Sequence, residues 1–286
     1  MRREEIERAL TPLLGLLLFL QSAIVVTGGA VRLTGSGLGC PTWPECTPGS
    51  IKPVPDQVQG QVHAWIEFGN RLLTFVLIFS SVAVLIAVRY LKRRDIRTLA
   101  IFQLLGIFAQ IPLGGITVLT HLNPIPVAGH FLLSIILIAA GTSLFERRNL
   151  ITAPNEISKL PQPIFTRAHL ALTTLVIIVG TIVTGSGPNA GDWSAPRFHI
   201  RIQLIAWIHA GLVIALMLLS IYLYLRATKG SLFKQRLLIF LLLSLGQGAI
   251  GFIQFYQGVP ELLVGAHLIG VTLVWIGAWR IHLVAK

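Results

Sequence analysis

Eight long apolar stretches alternate with short polar connections along this chain of 286 residues. They run roughly over 10–31, 65–88, 98–119, 126–145, 169–187, 203–225, 237–257 and 262–281. Each is long enough to cross a hydrocarbon core of ~30 Å as a helix rising ~1.5 Å per residue. The pattern predicts eight transmembrane helices, the last two joined by a very short turn around Pro260. The first stretch follows basic residues, as a secretory signal would. It is longer than the apolar part of such a signal and flows into Arg32 without a clear cleavage site, so it is expected to be a retained helix.

Composition agrees with an all-α polytopic membrane protein. Hydrophobic residues make up 54% of the chain, charged residues only 12%, and mean hydropathy is +0.76. Soluble domains carry about twice that charge. The net charge of +12 would point to nucleic acid in a soluble protein, but the distribution of charge gives a different reading. Eighteen Lys and Arg residues, among them Arg2, Arg89, Arg93, Arg147, Lys159, Arg226 and Lys286, fall on one side of the predicted spans. Only Arg32, Lys52, Arg197 and Arg201 fall on the other, and Arg71 lies near a span end. Such a bias places both termini in the cytoplasm of a multi-pass plasma-membrane protein. The basic pI then reflects topology and contact with anionic membrane lipid, not nucleic acid.

The chain repeats itself. Thr34-Gly-Ser-Gly37 in "RLTGSGLGCPTWPEC" returns as Thr184-Gly-Ser-Gly187 in "VTGSGPNAGDW", without the cysteines. Gln110, Gly114 and His130 recur as Gln247, Gly251 and His267, at a constant offset of 137 and at the same depth of corresponding spans. Duplication explains three matches at one offset better than chance does. Two tandem four-helix units are therefore expected, 1–148 and 149–286. Each holds an even number of spans, so they share one orientation and a pseudo-two-fold axis along the membrane normal.

Ionisable residues inside a membrane are costly and tend to face the bundle interior. Of eight histidines, His121, His199 and His282 fall in loops or at ends, and His169 is expected at the cytoplasmic interface. His63 sits at the mouth of the second span, whereas His130, His209 and His267 lie within spans, near their outer ends. Any one of these could be an interhelical hydrogen bond. His209 and His267, on the second and fourth spans of one unit, suit bis-imidazole ligation of a haem iron across a four-helix bundle. A bare metal ion fits less well, because no carboxylate or thiol joins them.

The first unit differs. His130 matches His267, but the place of His209 falls near Asn70, in "HAWIEFGNRLL". His63, Glu67 and Asn70 share one helical face. Glu67 is the only acid well inside a span, where its ionised form needs a partner. It pairs with Arg71, its i+4 neighbour, or it handles protons beside a bound ligand. The second reading is favoured because the aligned residue in the second unit is near Ala206.

"VVTGGAVRLTGSGLGCPTWPEC", "IEFGNRL" and the two Gln-Gly-His sets resemble haem A synthase of the CtaA and Cox15 type, over nearly the whole chain. The resemblance implies that the C-terminal unit holds haem b through His209 and His267. It implies that the N-terminal unit takes haem O as substrate and oxidises its C8 methyl group to a formyl group, with water as the oxygen source. The family's glutamate carries over to Glu67, and His130 to one axial ligand of the substrate haem. Many members have histidine where this chain has Asn70, so His63 or Asn70 stands as candidate for the other side. The implied partners are haem O and haem A, an electron acceptor that the sequence does not name, haem O synthase and the cytochrome oxidase assembly apparatus. A homo-oligomer is left open.

Residues 32–63 would then roof the substrate unit. Two cysteines six apart on the outer face of a bacterial-type membrane readily pair, so a Cys40–Cys46 disulfide is expected. Closing so short a loop contributes on the order of 2–3 kcal/mol. It is either a structural staple or a redox-sensitive lid that relays reducing equivalents. Two other classes fit less well: a di-haem, quinone-linked membrane cytochrome, and a haem or solute transporter.

Overall fold

The computed structural model describes residues 3–148 and 163–285. Arg2, Lys159 and Lys286 of the charge pattern, and the segment following the expected unit boundary at 148, lie outside the described residues. The rest forms α1 (Arg3–Leu33), α2 (Gln61–Tyr90), α3 (Arg94–Leu119), α4 (Pro124–Glu146), α5 (Pro163–Ser186), α6 (Ile202–Arg226), α7 (Leu232–Tyr256) and α8 (Glu261–Val284). All eight are long and apolar enough to cross a membrane, and the chain is an all-α, multi-pass membrane protein. Lipid offers no partner to a backbone N–H or C=O, so an apolar segment of this length must satisfy those groups within itself as a helix.

The helices start and stop where local chemistry dictates. Asn123 caps α4 by accepting the Ile125 N–H at 3.0 Å, with Pro124 in the first turn, and Ser231 caps α7 by accepting the Lys234 N–H at 3.2 Å. Each helix exceeds its apolar run by a few residues, because the polar ends continue the hydrogen-bond ladder beyond the hydrocarbon.

Two compact units result. In the first, α1 packs on α2 and α4, and α3 on α2 and α4, closing a four-helix ring. In the second, α5, α6, α7 and α8 close a ring in the same way. The division departs from the expected one in a single segment: residues 187–198, which follow α5, belong to the first unit. The Gly37 N–H donates to the Gly191 carbonyl at 2.8 Å, and the Arg32 guanidinium to the Asn189 carbonyl. Gly191 adopts φ 97°, a backbone conformation that costs a glycine little.

Each unit has its apolar core at one end. In the first unit Leu10, Leu14 and Leu17 pack with Val84, Val88, Ile96, Ala100 and Leu144. In the second, Leu216, Leu223, Phe233, Leu237, Phe240 and Ala278 do the same. Toward the other end packing loosens. In α4 every residue of 134–144 except Ile136 is buried, and none of 124–133 is. In α8 none of 261–271 is buried. The histidines singled out by the sequence lie in this looser half.

Candidate functional site

Four side chains project from corresponding places on the even-numbered helices. His130 lies six residues into α4, His209 seven into α6, His267 six into α8 and Asn70 nine into α2. At ~1.5 Å per residue these are depths of roughly 9–14 Å from the helix starts.

The structure gives each a glycine as a backing surface. A Cβ placed on Gly114, Gly180 or Gly251 would stand 3.2 Å from the Cε1 of His130, His209 or His267. Gly28 backs Asn70 in the same manner, 3.7 Å from its Nδ2. Each glycine lies on the helix preceding the one it backs. Gly28 and Gly180 escaped the sequence reading: they are 152 residues apart, whereas the Thr-Gly-Ser-Gly motif repeats at 150.

The Gln-Gly-His spacing now has a physical meaning. The Gln110 Nε2 donates to the His130 carbonyl at 3.1 Å and to Ser134 Oγ at 2.6 Å, and the Gln247 Nε2 donates to the His267 carbonyl. One helical turn further along the same face, the glycine makes room for the imidazole. The pair therefore fixes both backbone and ring. A valine at Gly251 should tilt the His267 ring and displace its Nε2. If this unit holds a haem through His267, Gly251→Val is expected to lose most of it, read by absorption of the purified protein, while Gly251→Ala keeps most of it.

The three imidazoles share an electronic situation. The Nδ1 of His130, His209 and His267 is buried without a hydrogen-bond partner, apart from the Val176 backbone that lies beside the His209 ring. The rings as a whole are only half-buried, so their exposed nitrogen is Nε2. His209 on α6 and His267 on α8 belong to the same four-helix unit. Two imidazoles across a bundle, each offering an accessible Nε2, fit the two axial positions of a planar iron macrocycle. Among the described residues no group of three or more His, Cys, Asp or Glu gathers to hold a metal ion.

His169 departs from its expected interfacial position. It is fully buried, with Nε2 3.1 Å from Ser220 Oγ and its ring edge-on to Phe240, 4.7 Å between centroids. Ser220 and Phe240 supply the polar and aromatic partners that let the ring enter the core.

In the first unit, Glu67 is buried and both its oxygens are engaged. Oε1 takes the Arg71 guanidinium, 2.6 Å from Nη2 and 3.2 Å from Nε, and Oε2 accepts the Cys40 N–H at 2.7 Å. Arg71 also donates to the carbonyls of Cys40, Thr42 and Glu45, at 2.9, 3.1 and 3.2 Å. The i+4 ion pair is thus formed, and it fastens the loop between α1 and α2 directly over Glu67. Cys40 and Cys46 form a disulfide. Trp43 lies against Gly115, where a Cβ would come within 2.5 Å of its ring, and Gly39 packs against the His63 carbonyl. His63 Nδ1 is 2.9 Å from Ser36 Oγ, which turns the ring toward this loop, two helical turns from Asn70. Asn70 Oδ1 accepts from Thr27 Oγ1 at 2.7 Å. Thr27 and Ser36 lie within motifs that the sequence analysis singled out, but their bonds to Asn70 and His63 were not legible there.

Breaking the disulfide should loosen this roof from either side. Cys40→Ser and Cys46→Ser are expected to behave alike, each losing on the order of 2–3 kcal/mol of loop order. Limited proteolysis of residues 47–59 with and without reductant measures it. Unequal phenotypes would show a chemical role for one cysteine.

Comparison with known proteins agrees with the geometry. The COX15-CtaA family model, described as cytochrome oxidase assembly protein, matches residues 12–191, more than half of the chain. A haem A synthase of Geobacillus thermodenitrificans is 36% identical over 102 residues, 35% of this chain and 30% of that protein. One of Shewanella oneidensis is 32% identical over 201 residues, 65% of this chain and 58% of its own length. One of Listeria monocytogenes is 28% identical over 275 residues, 88% of each. The matches thus span less than two thirds of the first two relatives and most of the third. On the extent of the family match, the chain belongs to the COX15-CtaA family of cytochrome oxidase assembly proteins.

Proposed function

We propose that this protein is a haem A synthase, which oxidises the C8 methyl group of haem O to the formyl group of haem A for terminal oxidases. The observation that carries the reading is the asymmetry between the units. One presents two imidazoles with accessible Nε2 atoms, and the other presents a single imidazole, an amide in the opposing place and a buried carboxylate. A retained cofactor needs a symmetric clamp. A substrate that must enter, react and leave is better served by a weaker hold. The names of the matched relatives support the same activity.

In this reading His209 and His267 hold haem b, which when bound supplies one-electron redox capacity to the enzyme. Gly180, Gly251 and Gln247 set the position of those rings. His130, set by Gly114 and Gln110, holds the iron of haem O. The conversion of methyl to formyl is two successive two-electron oxidations, the first adding oxygen from water to give the alcohol and the second giving the aldehyde, and each releases two protons and passes two electrons to an external acceptor. Glu67, buried and within the substrate unit, takes up a proton or balances developing positive charge at the porphyrin edge. Arg71 and the Cys40 N–H hold its carboxylate in place. The disulfide loop roofs the site and limits access of bulk water. Both termini face the cytoplasm of the plasma membrane, so the roof lies on the outer side.

The test is to express the protein in cells that make haem O but lack the activity, then extract and chromatograph the haems. Appearance of haem A, with haem b copurifying, supports the assignment. A preparation containing haem b alone would instead identify a membrane cytochrome.

A further inference from the structure

Three of the four glycine-backed places carry an imidazole, and the fourth carries Asn70. The backing distances show the consequence. A Cβ on the backing glycine would meet each ring at 3.2 Å, whereas on Gly28 it would stand 3.7 Å from the amide Nδ2. An asparagine side chain ends one bond short of an imidazole Nε2, so it stops short of where an opposing nitrogen would reach a metal. Oδ1 accepts from Thr27 Oγ1 at 2.7 Å, the shorter of two contacts that hydroxyl makes, the other being to the Ile24 carbonyl at 3.2 Å, and the two N–H groups of Nδ2 have no protein acceptor among the described residues. Asn70 is only half-buried, and its Nδ2 is not among the buried polar atoms that lack a partner, so those donors remain accessible. His63 does not take over the position, because it sits two turns along α2 and is bonded to Ser36.

We propose that the substrate unit has a binding site for a small exogenous ligand, between Asn70 and the haem iron held by His130. This rests on the reading of the first unit as the haem O site. The ligand class is a molecule of one to three atoms with a lone pair on its outer atom, such as water, carbon monoxide or cyanide. The Asn70 Nδ2 donates a hydrogen bond to it, and Thr27 holds the amide in the donating orientation. The second unit would admit no such ligand, since His209 and His267 would both hold its haem iron.

Carbon monoxide is the probe. Protein purified with haem O or haem A bound is reduced, titrated with carbon monoxide and followed by absorption, and its haems are then extracted and counted. The carbon monoxide bound should equal the haem O plus haem A, with haem b silent. Asn70→His should abolish binding and convert that haem to a low-spin, six-coordinate spectrum. Asn70→Leu, which keeps the space but not the donor, should still bind, about tenfold more weakly, the effect of one hydrogen bond lost. Thr27→Val should weaken binding in the same direction. Protein that holds haem O or haem A yet binds no carbon monoxide overturns the proposal while leaving the proposed function standing. Binding gained only in His63→Ala would also overturn it, by making His63 the ligand. A preparation with haem b but neither haem O nor haem A would overturn the underlying reading, and this one with it.

Discussion

If His209 and His267 hold haem b as proposed, purified protein carrying His209→Ala or His267→Ala is expected to lose the low-spin haem b spectrum while remaining folded in the membrane. Loss of either imidazole opens a two-point clamp. The effect should exceed the roughly 10–100-fold that removal of a mere outer-shell partner costs a metal site. The fold should survive, because the core of this unit is built at the other end, from Leu216, Leu223, Phe233, Leu237, Phe240 and Ala278. His169→Ala is the control. It also removes a buried histidine, but one whose Nε2 is taken up by Ser220. It should cost stability and leave the haem b spectrum in place. Full and unchanged haem b in both His209→Ala and His267→Ala would show that the cofactor is held elsewhere.

Glu67→Gln separates proton handling from packing. Glutamine matches the size of glutamate and still accepts the Cys40 N–H, but it cannot ionise. Haem O should still be bound through His130, whereas conversion to haem A should fall roughly 10²–10⁴-fold, the span attributed to a positioned general acid or base. Hydroxylated intermediate should accumulate where the second oxidation is the more affected. The substitution also leaves Arg71 without its carboxylate, and breaking a buried pair from one side can cost about 3–5 kcal/mol. Arg71 retains the carbonyls of Cys40, Thr42 and Glu45, however, which moderates that cost. Arg71→Gln distinguishes the two effects. It should loosen the roof without removing the titrating group, and so lower haem A production far less than Glu67→Gln does. The haem O to haem A ratio in cells carrying each variant decides. Normal haem A with Glu67→Gln would reduce the glutamate to a structural partner of Arg71.

The sequence by itself determined the eight helices, because in lipid an apolar run of this length has no other way to satisfy its backbone. It also pointed to the duplication and to the Gln-Gly-His sets, since a repeated offset of 137 is a one-dimensional signal. It could not say why those three residue types belong together. Gln110 and Gln247 bond to the backbone of the very histidine whose ring Gly114 or Gly251 accommodates, a relation between two helices that spacing along one chain does not encode. Gly28 and Gly180 were out of reach for the same reason: they match in space although their offset differs from that of the motif beside them. The burial of His169 depended on Ser220 and Phe240, 51 and 71 residues away, and the link from residues 187–198 to the first unit depended on a backbone bond between Gly37 and Gly191. Composition thus decided which segments enter the membrane, and packing decided which side chains meet there.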